Sequence, residues 1–168
     1  MFDIAKHFDA NNIPIKLSIG SGQRVIPQCI SIDKNPALEH LGVVIMNVDN
    51  AEDREGLPKN HFEWIECTGC LNEFKTDVVM IMNWFWDLLK IGGLLRIAVA
   101  VVDNGNGAFR DPLASRYLHS QWVEYFVNGG SWQNSGGKLG LGFYGEFDLV
   151  SNVIDGERQT VEMRAVKR

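Results

Sequence analysis

Apolar and polar positions alternate in short blocks over the first third of the chain. Residues 13–19 carry Pro14 at their edge and then alternate, which predicts a first strand. Residues 29–32 predict a second. Between the two stand Gly20, Ser21 and Gly22, then only residues 23–28 with Pro27 inside. Parallel strands usually need a dozen or more connecting residues, so no ordinary crossover helix fits there. Asn35-Pro36 opens a turn, and residues 37–41 suit one helical turn. The β-branched run 43–48 predicts a third strand. Residues 49–60, broken by Gly56 and Pro58, read mostly as loop, and residues 62–67 as a fourth strand.

The period then lengthens. Over residues 76–90, Val79, Met82, Phe85, Trp86 and Leu89 share one helical face. Lys90 suits the negative end of that helix, and Gly92-Gly93 stop it. Residues 94–102 are apolar but for Arg96, as in a central strand buried on both faces. A Gly/Asn-rich loop over 104–112 leads to a short helix at 120–127, with Ser120 as its cap and Trp122, Val123 and Phe126 inward. Residues 128–142 hold six glycines and are expected to be the most mobile segment. Residues 147–154 and 159–166, joined by Asp155-Gly156, predict a closing antiparallel hairpin. Adjacent Trp84, Phe85 and Trp86 cannot all face inward at 3.6 residues per turn. Trp84 is the one expected outside, covered by a second copy in a homodimer or packed under the glycine-rich segment. The whole is an α/β chain with a mostly parallel sheet, one domain over residues 1–168.

Composition narrows the class. An apolar fraction of 45% and a charged fraction of 22% are ordinary for a globular protein. Twenty-one acids against sixteen bases leave a net charge of −5, which argues against a non-specific nucleic-acid binder. Cys29, Cys67 and Cys70 make an odd count, a poor disulfide framework, so a reduced, cytoplasmic setting is expected. No run reaches membrane-spanning length, and residues 1–12 lack the apolar centre of a secretion signal.

The candidate chemistry lies in Leu17-Ser18-Ile19-Gly20-Ser21-Gly22 and Ile30-Ser31-Ile32-Asp33. Glycines without Cβ let the backbone approach a ligand. A carboxylate at the next strand tip can accept hydrogen bonds from both ribose hydroxyls. A nicotinamide fingerprint is incomplete, because Val25 holds its third glycine position. Cys67-x-x-Cys70 has no second Cys or His pair at zinc spacing, so no metal is expected.

Strand, Gly-x-Gly, strand and acid, followed by Leu88-Leu89-Lys90-Ile91-Gly92-Gly93-Leu94-Leu95-Arg96-Ile97, resembles the class I S-adenosylmethionine-dependent methyltransferases. The likeness is to the small ones typed as methyltransferase domain 11. The segment from Asp111-Pro112-Leu113 to Tyr125-Phe126 resembles the loop and helix after their fifth strand, and the short first crossover also occurs in this group. The resemblance implies a Rossmann-like fold and S-adenosylmethionine as cofactor. It implies that Gly20, Ser21 and Gly22 lie against the methionine part and that Asp33 holds the ribose. Asn47 and Asp49 would lie near the adenine, and Cys67 and Thr68 near the sulfonium. His119 and Glu73 are the candidate acid–base residues.

Methyl transfer needs little beyond alignment of donor and acceptor, so an obvious catalytic pair is not required. A small-molecule or glycan-like acceptor is expected. The alternative is a binding module of the same fold without transfer. It is motivated by Gly69 and Asn72-Glu73, which stand where the family carries a histidine and a glutamate-histidine pair.

Overall fold

The computed structural model describes residues 4, 7, 8, 12–103, 105, 107–132 and 142–167. Seven strands form one sheet: β1 Lys16–Ile19, β2 Ile30–Asp33, β3 Val44–Ile45, β4 Phe62–Thr68, β5 Leu89–Ala100, β6 Phe147–Asp155 and β7 Arg158–Ala165. Their order is β3-β2-β1-β4-β5-β7-β6. β1 pairs in parallel with β2 and β4, β2 with β3, and β4 with β5, while β7 runs antiparallel to both β5 and β6. The mostly parallel sheet and its closing hairpin are as the hydrophobic pattern predicts.

Register explains the core. Leu17, Ile30, Ile65, Leu95 and Met163 form one cross-sheet row, and Ile19, Ile32, Cys67, Ile97 and Val161 the next. All are buried and join Ile81, Met82, Phe85 and Leu88 of helix α2 (Val78–Leu88) in one cluster. Because side chains alternate across a strand, the residues between these rows face the other way. They are Ser18, Ser31, Glu66, Arg96 and Glu162. The short β1–β2 connection lies over part of that polar row: Arg24 Nη1 donates to Glu66 Oε1 at 2.9 Å, and the Ile26 amide reaches Ser31 Oγ at 3.5 Å.

Several expectations change. The long helix ends at Leu88, and Leu89 is already extended and paired with Phe62. Lys90, Gly92 and Gly93 therefore belong to β5 and do not terminate a helix. Lys90 pairs with Glu63 at 3.1 Å. Gly93 sits where a Cβ would be 2.9 Å from the Phe62 carbonyl oxygen, so the glycines serve a register shift between β4 and β5. The β5 strand is buried on both faces only over Ile97, Ala98 and Val99. Its earlier part alternates, with Arg96 half-exposed.

The 49–60 segment contains helix α1 (Ala51–Glu55), started by Asn50, whose side chain accepts from the Glu52 amide at 3.0 Å. That helix covers Trp84, which is only 8% exposed and donates its indole N–H to the Arg54 carbonyl at 3.2 Å. Trp84 is thus a core residue, contrary to the pattern-based expectation. The third strand pairs only over Val44–Ile45. The helix near 120 is a 3-10 turn over Ser120–Tyr125, capped by His119 rather than Ser120, with Trp122, Val123 and Phe126 buried as expected. The expectation for residues 128–142 falls largely on 133–141, outside the described residues.

Candidate functional site

In an open α/β sheet, ligands bind beyond the carboxyl ends of the strands, where the strand order reverses. Here that point lies between β1 and β4. A cleft of about 100 Å³ opens there, lined by Gly20 after β1, Ile32, Asp33 and Lys34 at the end of β2, and Met46, Asn47, Val48 and Asp49 after β3. Thr68, Gly69, Cys70, Glu73 and Phe74 after β4 complete it. Gly20 and Asp33 share this one cavity.

Asp33 is held from both sides. Its Oδ2 accepts from the Gly22 amide at 3.0 Å and its Oδ1 from the Asn35 amide at 2.9 Å. Each carboxylate oxygen keeps a second lone pair, so both can still accept from a diol. Gly22 takes φ +54°, which lets its amide turn to Asp33, and a Cβ there would meet open space. Gly20 differs. It takes φ +63°, and a Cβ would lie 2.5 Å from both Cβ and Sγ of Cys70. The bareness of Gly20 admits the Cys70 side chain, which then forms part of the cleft wall.

Three carboxylates, Asp33, Asp49 and Glu73, face one ammonium, Lys34, around the cleft. Glu73 pairs with Lys34 at 3.4 Å. Asp49 is tied into the fold, its Oδ1 accepting from the Lys75 and Thr76 amides at 2.8 Å each. Asn47 accepts the Asp49 amide at 3.1 Å, an Asx turn that shapes this wall. Thr68 donates to Glu66 Oε1 at 2.8 Å. The acidic balance suits a cation and disfavours a pyrophosphate.

Of the residues singled out from sequence, Gly20, Asp33, Asn47, Asp49, Thr68 and Glu73 line the cleft. Ser21 and Gly22 sit beside it, with the Ser21 amide on the Ile32 carbonyl at 3.1 Å and Gly22 on Asp33. Cys67 lies beneath, fully buried, and Cys70 takes its place on the wall. His119 lines a different groove, with Tyr117, Trp122, Tyr125 and Trp132. Its Nδ1 accepts the Gln121 amide at 3.3 Å and its Nε2 is 3.5 Å from Asp103.

Ile32, Lys34, Met46, Val48, Gly69 and Phe74 were not foreseen as lining residues. Cys70, whose spacing from Cys67 marks the pair as pocket or core residues, does line the cleft. Buried Glu66, which anchors Arg24 from the first loop, was also missed, although its place between Ile65 and Cys67 in the strand Phe62–Thr68 marks it.

Sheet order and cleft position define the class I methyltransferase fold, Rossmann-like with an antiparallel seventh strand. Solved structures agree. The chain superposes with TM-score 0.61 on a chain of the complex between the Haloferax volcanii Trm112 methyltransferase activator and its methyltransferase, at 11% identity over 97% of this chain and 89% of that one. A SAM-dependent methyltransferase from Archaeoglobus fulgidus gives 0.59 at 10% identity, over 96% and 90%. A Sulfolobus solfataricus protein assigned to the type 11 methyltransferases gives 0.56 at 13%, over 100% and 95%. No family model and no curated protein sequence matches the chain. Among the described residues, no helix is long and apolar enough to cross a membrane, and no cluster of side chains could hold a metal ion.

Proposed function

We propose that this chain is an S-adenosylmethionine-dependent methyltransferase acting on a polar small-molecule or glycan-like acceptor. The observation that carries the reading is the shared cleft of Gly20 and Asp33, with both Asp33 oxygens pre-oriented by backbone amides. The donor set fits a cationic nucleoside. Asp33 faces the ribose, the main chain at Asn47 and Asp49 borders the adenine, and Met46, Val48 and Phe74 supply apolar walls. The excess of carboxylates favours a sulfonium and opposes a dinucleotide. S-adenosylmethionine, when bound, supplies an activated methyl group, and what the protein adds is alignment.

A second groove adjoins the cleft at Gly69 and runs past Ala98 and Ala100 to Asp155, Glu157 and Arg158. Its small residues leave room beside the β4 tip, and its polar end suits an acceptor rich in hydroxyls. Glu73 is the acid–base candidate within the cleft, while His119 serves its own turn as a cap. Calorimetry with S-adenosylmethionine and S-adenosylhomocysteine tests the reading. Binding of either in the micromolar range supports it, and no heat at millimolar ligand removes it.

A binding module without transfer is the second reading. It is favoured by the engagement of Glu73 with Lys34 and of Asp49 with the 75–76 backbone. Cofactor binding without turnover of hydroxylated and amine acceptors would select it.

A further inference from the structure

The motif Cys67-Thr68-Gly69-Cys70 plays no part in holding a nucleoside by its diol. Gly69, at φ +75°, bends the chain just past β4 and brings the two sulfurs to 3.3 Å. Cys67 is fully buried beneath the sheet tip, whereas Cys70 is 7% exposed and forms part of the cleft wall. Cys70 Sγ donates to the Ile19 carbonyl at 3.2 Å and fills the space that Gly20 leaves by lacking a Cβ. Cys29, the remaining cysteine, sits at the start of β2 in the polar-face loop.

We propose that Cys67 and Cys70 are a disulfide-forming thiol pair in the floor of the cofactor cleft, reached by low-molecular-weight disulfides through the cleft mouth. A disulfide needs an S–S distance of about 2.05 Å, so closure asks the sulfurs to move together by only about 1.3 Å. The order of events follows from burial. Cys70, as thiolate, attacks one sulfur of oxidised glutathione, forming a mixed disulfide and releasing one glutathione thiolate. Cys67, as thiolate, then attacks Cys70 Sγ, forming the Cys67–Cys70 bond and releasing the second. The two cysteine protons end on the two released thiols. The protein gives up two electrons and oxidised glutathione takes them.

Hydrogen bonding to Cys70, and then burial, hold the Cys67 thiol well above its ordinary pKa, which fits it as the second sulfur to react and not the first. The closed form loses the Cys70 donor to Ile19 and stiffens the turn that carries Thr68 and Gly69. Covering of the pair by cofactor rests on the functional reading above, whereas the pairing itself does not.

The test exposes the reduced full-length chain to oxidised glutathione, quenches with acid, alkylates and maps cysteines by peptide mass spectrometry. The expected result is loss of two hydrogens from the peptide holding Cys67 and Cys70, reversed by dithiothreitol and retained in Cys29→Ser. The proposal is overturned if both cysteines stay alkylatable while Cys29 gains glutathione, or if Cys70 keeps a glutathione adduct that Cys67 never displaces. The rate is then measured with saturating S-adenosylhomocysteine, alongside calorimetry on the same sample. Closure should slow at least tenfold. An unchanged rate with bound nucleoside overturns the route through the cleft. Absence of binding in the calorimeter removes the functional reading instead and leaves the disulfide result to decide the pair.

Discussion

The Gly22 amide donates to Asp33 Oδ2 at 3.0 Å, so the loop after β1 and the tip of β2 are one unit. The carboxylate that we propose accepts the ribose diol also holds the glycine turn in place. Asp33→Ala therefore acts twice. A hydrogen bond to a charged group contributes about 1.5–3 kcal/mol, so affinity for S-adenosylhomocysteine should fall on the order of tenfold to a hundredfold. The melting temperature should fall as well, because the Gly22 and Asn35 amides lose their acceptor. Calorimetry and thermal melts on one preparation check both.

The two glycines of the turn should respond differently. At Gly20 an alanine meets Cys70 at 2.5 Å in addition to its left-handed backbone, whereas at Gly22 only the backbone objects. Gly22→Ala should cost about 1 kcal/mol and Gly20→Ala about 2–4 kcal/mol, overpacking added to strain. Urea denaturation of the two variants, read as a difference in midpoint, measures the gap.

Gln159, fully buried in β7, accepts the Trp122 indole N–H at 2.9 Å and donates to the Ser120 carbonyl at 2.7 Å and to Asn152 Oδ1 at 2.9 Å. Gln159→Leu leaves the indole N–H without its acceptor and should destabilise the fold by about 1–3 kcal/mol. In a Trp122→Phe background the same change should cost less, because the orphaned donor is gone. A double-mutant cycle measured in urea reads that coupling.

Burial, then the nearby Glu66 carboxylate, push the Cys29 thiol from 9.0 up to about 11. An unfolded chain loses this proton near pH 9 and the folded chain keeps it to about pH 11. The stability from this group is thus complete below pH 9 and drains away as pH rises toward 11. Iodoacetamide should label Cys29 slowly at pH 8 and faster up to pH 11. The alkaline loss of melting temperature should be shallower in Cys29→Ser.

Much of the sheet was legible from local pattern. Alternation marks β1, a run apolar but for Arg96 marks β5, and Asp155-Gly156 marks the hairpin between β6 and β7. The end of α2 was not, because Gly92-Gly93 reads as a helix stop to any local rule. Only the pairing of Leu89 with Phe62 shows that the strand has already begun. Trp84 is a similar case: three adjacent aromatics force one outward unless another element covers it, and α1 does so from outside the helix's own sequence.

By itself the sequence determined that the chain forms a mostly parallel α/β sheet, and that a glycine turn and the acid Asp33 lie at successive strand tips. These follow from side-chain period and backbone freedom, which are local. Tertiary structure alone decided which groups meet: Cys70 against Gly20, Glu73 on Lys34, Glu66 on Arg24, and His119 in a groove of its own. Contacts between distant segments depend on strand order and register, and no short stretch of chain encodes either.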